Sequence, residues 1–150
     1  PPNHNFHLLL VGEVKDPKIM RLVSDPSIRS RIHLASYIED AATIAGACDI
    51  FVMPSLAREG LCRALMEAMA QHVAPIVTNV GGMPELVINN QSGLVIQPGD
   101  PHALAQAISF LADNSEKRRE FGQNARKQIT DHFNIETTIR QTLQLFQEVC

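Results

Sequence analysis

Cysteine is scarce in this chain. Cys48, Cys62 and Cys150 are the three it has, too few and too irregularly spaced for a disulfide framework or a zinc site, so a reducing compartment is the default. Cys48, opening an apolar run, reads as core. Charge is also thin: 13 Lys and Arg against 16 Asp and Glu leave a net charge of −3, which offers nucleic acid no basic footprint. The cluster Lys117-Arg118-Arg119 reads as the solvated face of a helix. No window approaches the length of a transmembrane helix, and the opening PPNHNF has neither the charge nor the apolar stretch of a signal peptide, so the chain reads as soluble. His4, His7, His33, His72, His102 and His132 are scattered without an i+4 His or Cys partner, which argues against a metal site. A Gly-x-Ser-x-Gly elbow is missing, which leaves a hydrolase triad unsupported, and Gly81-Gly82 lacks the spacing of a dinucleotide fingerprint. Internal repeats, low-complexity segments and a linker to a second domain are absent as well.

What is present suits one globular domain. A chain of 150 residues with 45% hydrophobic content can bury roughly 70% of the surface its unfolded form exposes. Its centre is CDIFVMPSLAREGLCRALMEAMA, from Cys48 to Ala70. Asp49 to Met53 reads as a strand covered on both faces, and Pro54 ends it because proline has no N–H for a sheet ladder. Leu61, Ala64, Leu65, Ala68 and Met69 then fall on one helical stripe. That puts Glu59 and Gly60 at a helix mouth, where free backbone amides and the positive end of the helix dipole suit a phosphate. Gly60 would let a ligand approach the backbone, and Leu61 and Cys62 would add amides. Glu67 follows Glu59 by eight residues, roughly 12 Å along a helix axis at 1.5 Å per residue. It could accept hydrogen bonds from hydroxyls. Spacing alone favours a plainer reading, in which Arg63 and Glu67 are an i, i+4 surface pair and Glu59 an acid favoured by the dipole.

The rest of the chain repeats the alternation. Phe6–Val11, Arg31–Leu34, Ala74–Thr78 and Gly93–Gln97 read as further strands. Helices are expected over Lys18–Ser24, Ala41–Ala47 and from about Pro84, with Asp16-Pro17 and Asp100-Pro101 as N-cap and N1 pairs. Three more helices complete the chain: one carrying Leu104, Ala107, Ile108 and Leu111, one from Ser115 with Phe121, Ala125 and Ile129, and one from Asn134 with Ile135, Ile139, Leu143 and Phe146. All three read as packing. The pattern predicts a Rossmann-like α/β fold, a parallel sheet with helices on both faces and right-handed crossovers. Ligands in such sheets bind beyond the carboxyl ends of the strands, where Gly12, Ser36 to Ile38, Pro54 to Cys62 and Val80 to Met83 would gather.

Three runs, PSLAREGLCRALMEAM, APIVTNVGGMPELV and SGLVIQPGDPHALAQAI, resemble the C-terminal, donor-binding domain of the retaining family-4 glycosyltransferases, which have the GT-B fold. The likeness includes the glutamate pair eight apart, Pro54-Ser55 before it, Gly81-Gly82 with Pro84-Glu85, and Pro98 to Pro101. Weaker similarity reaches back through CDIFVMP and RIHLASYIED to FHLLLVG.

The resemblance implies a nucleotide-diphosphate-sugar donor (UDP-, GDP- or ADP-linked), no tightly bound cofactor and no metal in this domain. By it Glu59 is the catalytic residue, lying against the hydroxyls of the donor sugar. Gly60, Leu61 and Cys62 offer amides to the sugar and diphosphate, and Glu67 binds the ribose. Ser55 and Gly12 line the donor site, and Tyr37 and Ile38 lie near the base, with Ser36 where the family more often has glycine. It further implies that the 150 residues are part of a larger enzyme and do not transfer sugar alone. The family's first βα unit, with an arginine and a lysine that face the donor phosphates, is missing, as is the N-terminal domain that binds the acceptor, a sugar or lipid-linked glycan. The missing strand is central in the family's sheet, so its neighbours pair directly or another chain fills the gap, with self-association as one outcome. Polysaccharide biosynthesis and a cytoplasmic location are implied too, with peripheral attachment at the inner membrane open for the full-length enzyme. A nucleotide-sugar epimerase-like domain and a non-catalytic α/β binding module are the alternatives.

Overall fold

A computed structural model describes residues 5–36, 38–57 and 59–149. The chain divides into two compact units, one ending at Ala41 and one beginning at Ala42.

In the first unit, β1 (Leu8–Val11) and β2 (Ile32–Ala35) pair in parallel, with Leu8 opposite Ile32 and Val11 opposite Ala35. The helix α1 (Pro17–Val23) lies between them in sequence, opened as expected by Asp16, whose carboxylate accepts from the Lys18 amide at 2.7 Å. The second strand begins one residue later than its apolar run suggests because Arg29–Arg31 form a 3-10 turn. Leu8, Val11 and Leu34 remain about half exposed, so this small sheet buries little by itself.

The second unit holds the main core. Its elements are α2, which starts at the boundary (Ala41–Gly46), β3 (Ile50–Met53), α3 (Arg63–Ala70), β4 (Ala74–Thr78), α4 (Met83–Leu86), β5 (Leu94–Ile96), α5 (Pro101–Asp113), α6 (Ser115–His132) and α7 (Ile135–Val149). The strands form a parallel sheet in the order β3-β4-β5. Every residue of central β4 is buried, and its alternation divides the core. Val77 joins Leu65 and Met69 of α3, Met83 and Leu86 of α4, and Ala125 of α6. Ala74 and Ile76 join Leu94, Ala107 and Leu111 of α5, and Phe121 of α6. Each large apolar side chain buried here contributes about 1.5–3 kcal/mol. Helices therefore cover both faces, as the sequence pattern predicts. Asp100 caps α5 through the Ala103 amide at 2.9 Å.

Four expectations need correction. β3 is half-buried throughout instead of covered, because its one strand partner among the described residues is β4. Leu61 is not on the α3 stripe: the helix starts at Arg63, leaving Leu61 in the loop and 51% exposed, while Ala64 is also exposed. Arg118 is only partly solvated. It donates to the Leu111 carbonyl at 2.7 Å and the Ala112 carbonyl at 3.3 Å near the end of α5, and reaches Asp49 at 3.5 Å. The stripe of α7 is not packed either, since Ile135, Ile139, Leu143 and Phe146 are all exposed. No described helix is long and apolar enough to cross a membrane.

Candidate functional site

The loop after β3 and the turn after β4 meet at the carboxyl ends of neighbouring parallel strands. Pro54 ends β3, the described residues 54–57 and 59–61 belong to no helix or strand, and Cys62 is the N-cap of α3. Cys62 makes no side-chain cap hydrogen bond, so its own side chain leaves the first amides of the helix unquenched, and the mouth keeps its positive end of the dipole. Gly60 is exposed, and a Cβ there would meet nothing within 4 Å. The open space beside its backbone is what close approach of a ligand requires.

Glu59 is half-buried and held at two places. Its Oε2 accepts from the Ser55 hydroxyl at 3.0 Å, and its backbone carbonyl faces the Gly82 amide at 3.4 Å. Gly81 lies so close that a Cβ on it would sit 1.6 Å from the Glu59 carbonyl oxygen, and its φ of +54° is a left-handed conformation that also favours glycine. The Gly81-Gly82 turn is therefore more than a tight connection, because it backs the Glu59 loop. Behind Ser55, the buried Thr78 hydroxyl donates to the Ser55 carbonyl at 2.6 Å.

Glu67 lies on α3 and pairs with Arg63 at 2.6 Å, the side chains being 27% and 88% exposed respectively. An ion pair so open to water adds little stability, and the inner carboxylate keeps acceptor capacity for a ligand hydroxyl. The span from Glu59 to Glu67 is not helical throughout. Only the part from Arg63 onward rises at about 1.5 Å per residue, so a helical rise does not describe the whole span.

Ser55, Glu59, Gly60, Leu61, Cys62 and Glu67 thus occupy one strand-loop-helix segment. The Cys62 side chain packs against the core beneath the loop. Gly12 and Ile38 belong to the other unit. The Gly12 amide is engaged at the end of β2, donating to the Ala35 carbonyl at 2.8 Å and the Ser36 carbonyl at 3.0 Å, so it is not offered to a donor in this arrangement. Tyr37 lies outside the described residues. Sequence reasoning missed Thr78, although a hydroxyl ending the otherwise apolar APIVT strand was a signal. Among the described residues no group of three or more metal-ligating side chains occurs.

A Rossmann-like α/β fold with an uncapped, anion-suited helix mouth and two carboxylates is what these features define. Residues 2–128 match the family described as Glycosyl transferases group 1, and the chain belongs to that family. The capsular polysaccharide biosynthesis glycosyltransferase CapM of Staphylococcus aureus is 28% identical over 137 residues, 87% of this chain and 35% of that protein. The N-acetyl-alpha-D-glucosaminyl L-malate synthase of Bacillus anthracis is 31% identical over 144 residues, 95% of this chain and 37% of that protein. Among solved structures, Anabaena Alr3699/HepE in complex with UDP superimposes with a TM-score of 0.89 at 21% identity, over 95% of this chain and 41% of that one. The chain thus spans less than half the length of these relatives.

Proposed function

We propose that this chain is the donor-binding part of a retaining glycosyltransferase, and that the α3 mouth receives a nucleoside diphosphate sugar. The observation that carries the reading is the uncapped N-terminus of α3, flanked by open Gly60 and by two carboxylates, one fixed and half-buried and one partly shielded on the helix. Amides of Gly60, Leu61 and Cys62 meet the diphosphate and sugar, acting where negative charge grows as the nucleoside diphosphate departs. Glu59 takes the sugar hydroxyls and is the catalytic residue; Glu67 takes the ribose. Carboxylates suit both tasks because an ionised carboxylate accepts hydrogen bonds from paired hydroxyls. The complex of HepE with UDP supports a uridine nucleotide as the first probe.

The larger reading follows the same line. The acceptor, a sugar or lipid-linked glycan, is held by a further domain of the whole enzyme, whose reaction keeps the anomeric configuration. Polysaccharide biosynthesis in the cytoplasm is its setting, and the likeness to a capsular polysaccharide biosynthesis glycosyltransferase supports the first of these.

Calorimetric titration with UDP, GDP and ADP sugars tests the site. Binding to one of these nucleotides is expected, weakened at least tenfold by Glu67→Ala with little change in stability. Affinity for all three that is absent, or indifferent to Glu67→Ala, would favour the α/β module in which the glutamates are structural.

A further inference from the structure

We infer that Thr78 is a positioning residue for Glu59, acting through Ser55, and that it sets the preference of the site for a nucleotide sugar over the free nucleotide. The inference rests on the donor site proposed above.

Thr78 ends β4, where the preceding residues Ala74, Pro75, Ile76 and Val77 are apolar and buried. A hydroxyl at such a position must find a partner, because burying it unpaired is costly. Its partner is not local. Thr78 Oγ1 donates to the Ser55 carbonyl at 2.6 Å, across 23 residues of sequence, with the Met53 carbonyl a distant second at 3.5 Å. The other buried hydroxyl, Ser92, behaves differently: its Oγ accepts from the Ile88 amide four residues away and closes a local turn. The Thr78 bond instead ties the end of one strand to the loop leaving its neighbour.

What that bond fixes lies directly at the site. Ser55 is the residue whose hydroxyl donates to Glu59 Oε2 at 3.0 Å. Its carbonyl, gripped by Thr78, sets the direction in which that hydroxyl leaves the backbone. Glu59 is meanwhile held from the other side, with its carbonyl facing the Gly82 amide at 3.4 Å and the bare Cα of Gly81. The carboxylate is therefore anchored on its side chain through Ser55 and on its backbone through the Gly81-Gly82 turn. A carboxylate so fixed presents its remaining acceptor sites in a set orientation, without reorganising when the ligand arrives. The Ser55 hydroxyl is spent on this task, which makes Ser55 part of the support of Glu59.

The consequence is selective. Glu59 serves the sugar, and Glu67, on a helix that Thr78 does not brace by any of these bonds, serves the nucleotide. Loosening Thr78 must therefore cost sugar recognition and spare the nucleotide.

The test compares affinities for UDP-glucose and UDP in the 150-residue chain and in Thr78→Val, Thr78→Ser and Ser55→Ala variants, with thermal unfolding monitored for each. Thr78→Val should lose about tenfold of the advantage of UDP-glucose over UDP, the upper range for one hydrogen bond, while its UDP affinity stays within twofold. Thr78→Ser, which keeps the hydroxyl, should restore the advantage. Ser55→Ala should lower it as Thr78→Val does, and decides the matter if Thr78→Val does not fold. An unchanged ratio in folded Thr78→Val or Ser55→Ala, or equal loss of UDP and UDP-glucose binding, would overturn the inference and leave the donor site standing. A wild-type chain that binds neither ligand would overturn the site and this inference together.

Discussion

Replacing Gly81 by alanine is the sharpest structural perturbation available at this site. The added Cβ would lie 1.6 Å from the Glu59 carbonyl oxygen and 2.7 Å from its carbon, where ordinary van der Waals contact is more than twice the shorter distance. Either the turn or the Glu59 loop must move by about 2 Å, an overpacking strain of about 1–3 kcal/mol. The φ of +54° adds roughly 1–2 kcal/mol for a residue with a Cβ. The total, roughly 2–5 kcal/mol, corresponds to a fall in melting temperature on the order of 10 °C for a domain of this size. Circular dichroism melts of wild type and Gly81→Ala read it directly. Gly60→Ala is the matched control, because a Cβ there meets nothing within 4 Å; it should melt within about 2 °C of wild type. Equal melting of Gly81→Ala and wild type would refute the claim that the Gly81-Gly82 turn backs Glu59.

Other predictions concern the core and the surface. Leu111→Ala empties a fully buried position between α5, α6 and the sheet and should cost about 2–5 kcal/mol in urea unfolding; a loss below 1 kcal/mol would mean that the α5 packing is wrong. Asp25 accepts from both the Ser27 hydroxyl and the Ser27 amide, which hold its carboxyl below the ordinary value. A depressed folded pKa stabilises above the unfolded pKa, and that contribution is lost as pH falls through the folded value. NMR titration of the Asp25 carboxyl should show a low midpoint that rises in Ser27→Ala, and an unmoved midpoint would contradict the assignment.

Local chemistry was legible in the sequence wherever it acts locally. Asp16 and Asp100 cap their helices through amides two and three residues on, and APIVT coincides with the buried central strand. The place of Glu59 and Gly60 before a helix was also readable, since a strand and a proline precede them and an apolar stripe follows; their link to Glu67 as a pair came from the family resemblance. What escaped depends on partners far away in the chain. Leu61 fits the helical period, yet α3 starts two residues later, and periodicity does not mark that boundary. Arg118 reads as a surface cation until the end of α5 is beside it. The α7 stripe has the spacing of a packed face, but periodicity does not reveal what would cover it. Thr78 acts across 23 residues on another loop, and no motif spacing encodes such a bond.

Amide chemical-shift mapping of the chain titrated with UDP tests the central claim most directly. The account predicts saturable shifts clustered at Gly60, Leu61, Cys62 and Glu67, lost in Glu67→Ala. Saturable shifts confined to other surfaces, such as the exposed face of α7 around Ile139 and Leu143, would contradict it.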